Sequence, residues 1–456
     1  MRRVSLLLPA IALCVSCWAA PANASVPSYD KDGARFIHQW VWTLTDAMVD
    51  EIRTPCTISR VYAYCNIAAY EAARPGYPDF RSFAGQLNGL TPPPKAPKTQ
   101  IDWRVAAIAA YHRVAGKLLY FYDRSEARYE GDLDNLKQMG VSKQVIAASV
   151  KYGEKVGDHI IAWSGKDGFR EVQAMGDYEF PKGEEHWQPT PPDFLRPVDP
   201  YWNRVRPFVL TGPRQIPPDP PIPFSKDPSS AFYKDEKEVW EIVKNLTEEQ
   251  IMVAKFWDCN PIHSFHFGHM AFKTRQISPA GHWMNIAKIV CVKQQRGMME
   301  VLETYALTSV AIADGFLSCW TEKYRDNTIR PITYINRYMD STWTPLIQTP
   351  PFPDHSSGHS TISAAAAVVL TKQLGAVPFD DDTEEYLNMP VRTFPNFMAA
   401  AYEAAMSRLY GGIHIRSSNT AGTKNGTEIA EYLLGGGNRL RLIHRGKIGA
   451  LAFALW

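Results

Sequence analysis

Three clusters of polar residues in the last third of the chain are of types that bind a tetrahedral oxyanion. Together they supply three cations, a hydroxyl, a glycine N–H that an anion can approach closely, and two histidines. The clusters are Lys323 with Arg330-Pro331, the tripeptide Ser357-Gly358-His359, and Ser407-Arg408 with His414. A helix predicted to begin near Thr361 would place the glycine at a helix N-terminus, where the helix dipole favours an anion.

The two histidines, His359 and His414, extend the predicted chemistry beyond binding. One imidazole can bond to the central atom of the anion, and the other can transfer protons near neutral pH. Each cluster alone is common in proteins. Their joint occurrence, in this order and at these spacings, is what indicates a catalytic site.

The three clusters match a signature shared by vanadium-dependent haloperoxidases and type-2 phosphatidic acid phosphatases, and the sequence resembles that superfamily. The resemblance narrows towards secreted bacterial haloperoxidases, including iodoperoxidases, and covers roughly residues 35 to 440. Segments outside the signature that carry it are Ser59–Ala73, Trp187–Pro192, Phe256-Trp257 and Gly281–Trp283. The family implies an all-α fold with two four-helix bundles and an oxyanion site at the end of the second.

The resemblance also assigns a role to each residue of the clusters. It implies vanadate as the cofactor, His414 as the axial vanadium ligand and His359 as the acid–base residue. The groups that would hold the vanadate oxygens are Lys323, Arg330, Ser357, Gly358 and Arg408. Lys323 would in addition polarise hydrogen peroxide, so that it is a catalytic residue beside His359. Cationic and N–H donors suit the hard oxygens of vanadate, and a neutral imidazole can complete its coordination.

Two positions depart from the family pattern. Ser356 stands where the family often has proline, which implies a slightly looser loop. Four residues after His414, where the family often has aspartate, this chain has Ser418 followed by Asn419. A carboxylate would orient the imidazole and make it more basic. Its absence is expected to hinder a histidine-dependent phosphatase more than vanadate binding.

Trp320, Phe352 and His355 are candidates for shaping the halide site. Trp320 precedes Lys323 by one helical turn, so both can face one cavity. Phe352 borders the halide site in the family, and His355 follows it; the alternative is that all three are core or loop residues. An aromatic wall offers peroxide no proton donor, and the missing carboxylate also implies modest activation. We therefore expect iodide oxidation to be the strongest activity, bromide oxidation to be weak or absent, and chloride oxidation to be absent.

A second pattern of histidines consists of His263, His266 and His269. Their three-residue spacing would place them near one face of a helix. No carboxylate or cysteine completes a familiar zinc pattern, and Phe265 and Phe267 interrupt it. Structural histidines, residues lining the entrance to the anion site, and a zinc site all remain open interpretations.

Periodic apolar residues predict the helices that must position these side chains. We expect them at Arg35–Ile52, Ile58–Ala73, Trp103–Tyr122, Val145–Ser164, Lys234–Lys244, Glu248–Phe256, Gly297–Lys323, Ile362–Gln373, Phe394–Leu409 and Asn419–Leu434. Few segments alternate like strands. The hexapeptide Ala-Ala-Tyr-Glu-Ala-Ala occurs at 68–73 and again at 400–405, through chance in alanine-rich helices or through a duplicated bundle.

A proline-rich segment divides the chain. Fourteen prolines between Pro181 and Pro228 exclude a helix there. The same stretch contains the aromatic residues Trp187, Phe194, Trp202, Phe208 and Phe224. Because a solvated linker rarely keeps so many, we expect an ordered irregular segment at 181–233. An N-terminal bundle, 25–180, would precede it, and a C-terminal bundle, 234–456, would carry the site.

The 456 residues are 45% hydrophobic and 21% charged, which is typical of a folded enzyme and not of a disordered or fibrous chain. Lys and Arg total 49 against 47 Asp and Glu, so no basic excess indicates a nucleic-acid partner. Residues 1–24 resemble a signal peptide, with Arg2-Arg3, an apolar stretch and Ala22-Asn23-Ala24. This predicts a periplasmic or secreted protein. The five later cysteines allow up to two disulfides, with the pairing open.

The leading hypothesis is a haloperoxidase that converts halide and hydrogen peroxide to hypohalous acid. The main alternative is a secreted acid phosphatase with His414 as nucleophile and His359 as leaving-group acid. A non-catalytic phosphate- or vanadate-binding protein is a third, although it would not need His359. No stretch after the leader is apolar enough to span a bilayer, which disfavours a membrane-embedded lipid phosphatase.

Overall fold

The computed structural model describes residues 28–120, 123–261, 263–267 and 269–436. Helix makes up 58% and strand 4%, which confirms the predicted all-α fold class. The predicted signal peptide, residues 1–24, lies outside the described residues. Within them, no helix has the length and apolar character needed to cross a membrane.

Fourteen α-helices and two short antiparallel strand pairs make up most of the regular structure of the described residues. The helices are α1 (Ser28–Asp50), α2 (Pro55–Ala73), α3 (Trp103–Leu118), α4 (Asp123–Gln138), α5 (Lys143–Ser164), α6 (Phe169–Gln173), α7 (Ala231–Lys244), α8 (Glu248–Phe256), α9 (Pro279–Lys293), α10 (Met298–Asp326), α11 (Pro331–Tyr338), α12 (Gly358–Leu374), α13 (Phe397–Tyr410) and α14 (Arg416–Glu431). The antiparallel pairs are β1 (Ser264–Phe267) with β2 (Met270–Lys273), and β3 (Phe379–Asp381) with β4 (Arg392–Phe394).

Helix α10 is the longest element and lies at the centre. Its 29 residues span about 43 Å, and almost every side chain from Met298 to Lys323 is buried. A helix that is buried on all sides needs neighbours all around it. It packs against α1 and α2 on one side and against α9, α12 and α14 on the other. Asn327, in the left-handed conformation with φ 48°, ends the helix just after Lys323.

The remaining helices form two groups around α10. Helices α2, α3 and α5 pack together with α1 beside them, and α12 packs between α13 and α14. One hydrophobic core runs continuously from Ala34 in α1 to Leu433, across the boundary predicted at 181–233. A smaller apolar cluster, which includes Val239 and Tyr334, fills the space between α7 and α11.

The proline-rich segment has almost no regular structure between α6 and α7, apart from one 3-10 turn at Trp202–Arg204. It is nevertheless packed against the helices. Trp187, Trp202 and Phe208 are buried, Phe224 is half-buried, and Phe194 is exposed.

A buried carboxylate ties this segment to α10. Asp314 accepts hydrogen bonds from the backbone N–H groups of Phe208, Val209 and Leu210, at 2.7, 2.7 and 3.0 Å. In this irregular segment, one carboxylate thus replaces the backbone carbonyl acceptors that a helix or a strand would supply to three N–H groups.

The five cysteines of the described chain are buried, and none pairs with another. Cys56 and Cys65 lie nine residues apart on α2, about 13 Å along the axis, which is too far for a disulfide. Cys291 and Cys319 lie on α9 and α10, and Cys259 follows α8. The structure thus contains neither of the two disulfides that the sequence allowed.

Candidate functional site

The three sequence clusters meet where several helices end or begin. Lys323 lies in the last turn of α10, Arg330 precedes α11, Ser357 caps α12, and Arg408 lies in the last turn of α13. His414 follows in the loop before α14. The side chains that line the cavity between these ends include Trp320, Phe352, Gly358, His359, Arg408 and His414. We call Lys323, Arg330, Ser357, Gly358, Arg408 and His414 the anion site.

Lys323 is a fully buried cation. Its Nζ donates to the carbonyl oxygens of Pro353 and Asp354, each at 2.8 Å, and lies 5.1 Å from the centre of the Phe352 ring. An ammonium has three N–H groups, so one remains for an anion. Burial, assisted by the neighbouring Arg330, lowers the pKa of Lys323 to about 7. A bound anion would favour its charged form.

Arg330 is held from two sides. Its Nε donates to the carbonyl oxygen of Phe352 at 2.8 Å, and its Nη1 donates to that of Ile413 at 2.5 Å. Nη1 also lies 3.2 Å from Nε2 of His414. The third nitrogen, Nη2, is buried and has no partner among the described residues. A buried N–H without an acceptor is costly, so this atom indicates a missing anionic partner.

Helix α12 begins at Gly358, earlier than the predicted start near Thr361. Ser357 caps it, because its Oγ accepts from Ser360 N at 3.4 Å and from Ser360 Oγ at 2.8 Å. A Cβ on Gly358 would lie 3.0 Å from a ring carbon of Trp320, so a larger residue would push the indole or the helix away. The first N–H groups of a helix have no partner within it and can bind an anion.

His359 lies in the first turn of α12 and is only partly exposed. Its Nε2 is buried and accepts or donates no hydrogen bond within the part of the chain described. Burial, followed by the charge of Arg408, lowers the pKa of His359 well below its usual value. The imidazole is therefore neutral, with one nitrogen available at the cavity.

Arg408 completes the cationic group from the opposite side. Its Nη2 donates to the carbonyl oxygen of Trp257 at 2.6 Å, and its Nε donates to Ser407 Oγ at 3.0 Å. Burial lowers its pKa, while Asp258 nearby favours the charged form. The segment just after α8 thus sets the position of this guanidinium.

Asp354 is the site residue that the sequence analysis missed. Its Oδ1 lies 2.8 Å from His414 Nδ1, whereas Ser418 Oγ lies 3.4 Å from the same nitrogen. Among the described residues, neither carboxylate oxygen has a partner at a suitable angle for a hydrogen bond. The contact between Asp354 and His414 is therefore short but not well aligned. The expectation that His414 has no carboxylate behind it is therefore wrong. The signal was an acidic residue three positions before Ser357.

His414 has two different sides. Burial, with the charges of Arg330 and Lys323, lowers its pKa well below the usual value, so the ring is neutral. With Asp354 on the Nδ1 side, the proton belongs on Nδ1, and Nε2 keeps a lone pair. Nε2 lies 3.2 Å from Arg330 Nη1, and the lone pair of a neutral imidazole nitrogen can also bind a metal.

Two of the three halide-site candidates lie in the cavity wall. Trp320 and Phe352 are buried, with ring centres 4.7 Å apart. His355 does not join them, because its Nε2 lies 2.8 Å from the carbonyl oxygen of Asp219 and the residue is absent from the cavity lining.

His263, His266 and His269 lie on and around the β1–β2 hairpin, not on a helix. His263 Nδ1 lies 3.0 Å from Thr274 Oγ1, and His266 contacts the carboxylate of Asp193. Within the described part of the chain, these histidines do not form a group that could hold a metal ion.

The donor set of the anion site fits vanadate. Arg408, His359, His414 and the start of α12 at Gly358 line the cavity, and Lys323, Arg330 and Ser357 are buried next to these lining residues. Two buried nitrogen atoms, Arg330 Nη2 and His359 Nε2, have no hydrogen-bond partner among the residues that the structure describes. An oxyanion with hydrogen-bond acceptors on all sides would satisfy both.

Known proteins support the same assignment. Residues 338–440 match the family model described as the VCPO second helical-bundle domain. The chain is similar to the crystal structure of a bacterial vanadium-dependent iodoperoxidase, with 38% identity and a TM-score of 0.84 over 91% of this chain and 98% of that one. No curated protein sequence matches it.

The fold is shared more widely. Apo and holo structures of a bacterial vanadium-dependent chloroperoxidase superpose with TM-scores of 0.62 and 0.61, at 14% identity in both cases. Both matches cover 84% of this chain; they cover 94% of the apo chain and 92% of the holo chain.

Proposed function

Because this chain belongs to the vanadium-dependent haloperoxidases and has vanadate as its cofactor, we propose that it uses hydrogen peroxide to oxidise iodide in preference to bromide. The observation that carries the proposal is its 38% identity, over nearly the whole length, to a protein described as an iodoperoxidase. The reaction consumes one peroxide, one halide and one proton, and it releases hypohalous acid and water.

The residues of the anion site would hold the cofactor. Lys323, Arg330 and Arg408 neutralise its charge, while Ser357 and Gly358 contribute the hydroxyl and the N–H at the start of α12. His414 would bind the metal through Nε2. When bound, vanadate supplies an electrophilic centre that activates hydrogen peroxide for attack by halide without changing its own oxidation state.

His359 would move the protons. Its neutral ring and free Nε2 can accept a proton from hydrogen peroxide that enters the cavity, and can return it to the oxygen that leaves as water. The remaining N–H of Lys323 would polarise the peroxide from the other side. Both roles need buried groups whose pKa values lie at or below neutrality.

The aromatic wall supports the choice of iodide. Trp320 and Phe352 present carbon atoms to the cavity and exclude water, which favours the most polarisable halide and the one that is easiest to oxidise. The other reason to expect iodide from the sequence was the lack of a carboxylate next to His414. Asp354 removes that reason, because its Oδ1 lies 2.8 Å from His414 Nδ1. The support for iodide preference therefore comes from the aromatic wall and from the similarity to a protein described as an iodoperoxidase.

Asp354 also favours a second activity, phosphoester hydrolysis. A histidine nucleophile becomes positively charged when it attacks phosphate, and a carboxylate 2.8 Å from its other nitrogen stabilises that charge. His359 would then protonate the leaving oxygen. We place this activity second, because the 38% identical relative is described as a peroxidase.

Export is a further part of the proposal. The charged, apolar and small-residue parts of residues 1–24 support cleavage before Ser25 and a periplasmic or secreted enzyme.

The test is a parallel assay of the purified protein after addition of orthovanadate. Peroxide-dependent oxidation of iodide, bromide and chloride is measured beside hydrolysis of an aryl phosphate. We expect iodide oxidation to be fastest and chloride oxidation to be absent. Efficient chloride oxidation, or phosphatase turnover that exceeds iodide turnover, would contradict the proposal.

A further inference from the structure

A second group of metal-binding side chains lies beside the anion site, and one of its members, Cys259, lines the same cavity. Cys259 follows α8, His282 lies on α9, and Glu384 follows β3, and all three are buried. His282 Nδ1 is 3.3 Å from Cys259 Sγ and 3.1 Å from Glu384 Oε1. The sulfur is 3.8 Å from the same carboxylate oxygen. Among the described residues, no other group of three His, Cys, Asp or Glu converges in this way.

These distances fit a single metal ion. Zinc binds cysteine sulfur at about 2.3 Å and nitrogen or carboxylate oxygen at about 2.0–2.2 Å, in a tetrahedral arrangement. Ligand atoms in such a site are about 3.3–3.6 Å from one another. The observed 3.1, 3.3 and 3.8 Å bracket this range, so one ion could contact all three atoms with only small side-chain movements.

The surroundings of His282 match those of a metal-binding histidine. Its other nitrogen, Nε2, lies 2.8 Å from Asp381 Oδ2, and Asp381 is itself held by the backbone N–H and the hydroxyl of Thr383. The Trp257 ring stacks on the imidazole, with centres 4.4 Å apart. A carboxylate behind a histidine fixes which nitrogen faces the metal and makes that nitrogen a stronger ligand.

We propose that Cys259, His282 and Glu384 bind a zinc ion, at a site whose ligands are separate from the residues that would hold vanadate. Three side-chain ligands would leave the fourth tetrahedral position to water. The ion would join three separate segments: the loop after α8, helix α9 and the loop after β3.

This zinc site would also support the anion site. Trp257, two residues before Cys259, accepts the hydrogen bond from Arg408 Nη2 at 2.6 Å. Fixing Cys259 to α9 would fix the carbonyl group that positions this guanidinium. The competing explanation is a metal-free network in which a charged His282 contacts Asp381 and Glu384.

Metal content and zinc binding distinguish these explanations. The full protein is treated with a chelator, dialysed and titrated with Zn²⁺ alone, and its metal content is measured by mass spectrometry. We expect about one zinc ion per chain. Cys259→Ser and Glu384→Gln should each weaken zinc binding about 100-fold or more, and Asp381→Asn about 10–100-fold. Cys291→Ser, another buried cysteine on α9, is the matched control and should bind zinc normally.

Cobalt binding provides a spectroscopic test that can be made on the parent protein even if a variant does not fold. Co²⁺ bound by a thiolate shows a sulfur-to-metal charge-transfer absorption, which we expect in the parent protein and in Cys291→Ser but not in Cys259→Ser. Absence of this absorption from the parent protein, or zinc affinity that is unchanged in a folded Cys259→Ser, would overturn the proposal. Loss of zinc with unchanged vanadate affinity would remove only its supporting role towards Arg408.

Discussion

Replacing Asp354 with asparagine tests whether this carboxylate orients His414. The substitution keeps the shape of the side chain and removes its charge. Two effects then oppose each other. Asp354 Oδ1 lies 3.8 Å from Arg330 Nη1, and at an effective dielectric constant of 20 two unit charges at that distance attract by about 4 kcal/mol. Removing this competitor leaves Arg330 freer to hold any oxyanion.

The second effect concerns vanadate alone. Loss of the carboxylate behind a metal-binding histidine typically costs about 10–100-fold in metal affinity, or about 1.4–2.7 kcal/mol. Sulfate carries the charge of an oxyanion but forms no bond to a histidine nitrogen. Loss of the Asp354 charge affects the sulfate dianion more than vanadate, which is mainly a monoanion near pH 7. A fall in vanadate affinity itself, beside unchanged or tighter sulfate binding, therefore reports the His414 bond.

Isothermal titration of the parent protein and Asp354→Asn with orthovanadate and with sulfate, at one pH, measures both affinities. We expect the vanadate affinity to fall by up to about 100-fold, while sulfate binds equally well or more tightly. Ser418→Ala is the control, because its hydroxyl lies 3.4 Å from Nδ1; we expect its vanadate affinity to change by about threefold or less. An unchanged or higher vanadate affinity in Asp354→Asn would refute the orienting role of the carboxylate.

Four further predictions concern the same cavity. His414→Ala should lose vanadate in equilibrium dialysis but retain sulfate, and equal vanadate retention would exclude His414 as the ligand. His359→Ala should lower turnover about 10²–10⁴-fold with little change in vanadate affinity, and parallel losses would indicate a binding role instead. Sulfate binding should weaken as the pH rises above about 7, because Lys323, with a pKa of about 7, then loses its charge; Lys323→Met should abolish this slope in calorimetry. Phe352→His should raise the bromide-to-iodide rate ratio by adding a proton donor to the wall, and an unchanged ratio would remove Phe352 from halide selection.

The helices that the sequence predicts well are those with a clear apolar period. Helix α8 is observed at the predicted residues, Glu248–Phe256, and α10 differs from its prediction by a few residues at its ends. Helix α4 was missed because it is mostly polar, and α9 because it is apolar on nearly all sides and shows no period. The eight residues of α11 are too few for periodicity to identify.

The candidate site was predictable where its residues form short motifs. Asp354 stands three positions before Ser357, but its contact with His414 depends on how two distant loops meet, which its place in the sequence alone does not show. His355 shows the converse: it stands between Asp354 and the Ser-Gly-His motif, yet its side chain turns to the carbonyl of Asp219. Cys259, His282 and Glu384 likewise converge from three separate elements.

The position of α10 limits how this protein can be divided. It packs against helices of both groups, and the apolar core is continuous between them. If the chain were cut at residue 233, the first helix group would lose α10 and would expose the apolar side chains that pack against it. The second fragment would expose the apolar side chains of α10 that α1 and α2 cover. The two bundles are therefore not exchangeable modules, and neither could be transplanted into another protein without the shared helix. Because Lys323 lies in the last turn of that helix, the catalytic geometry and the cohesion of the two halves depend on the same element.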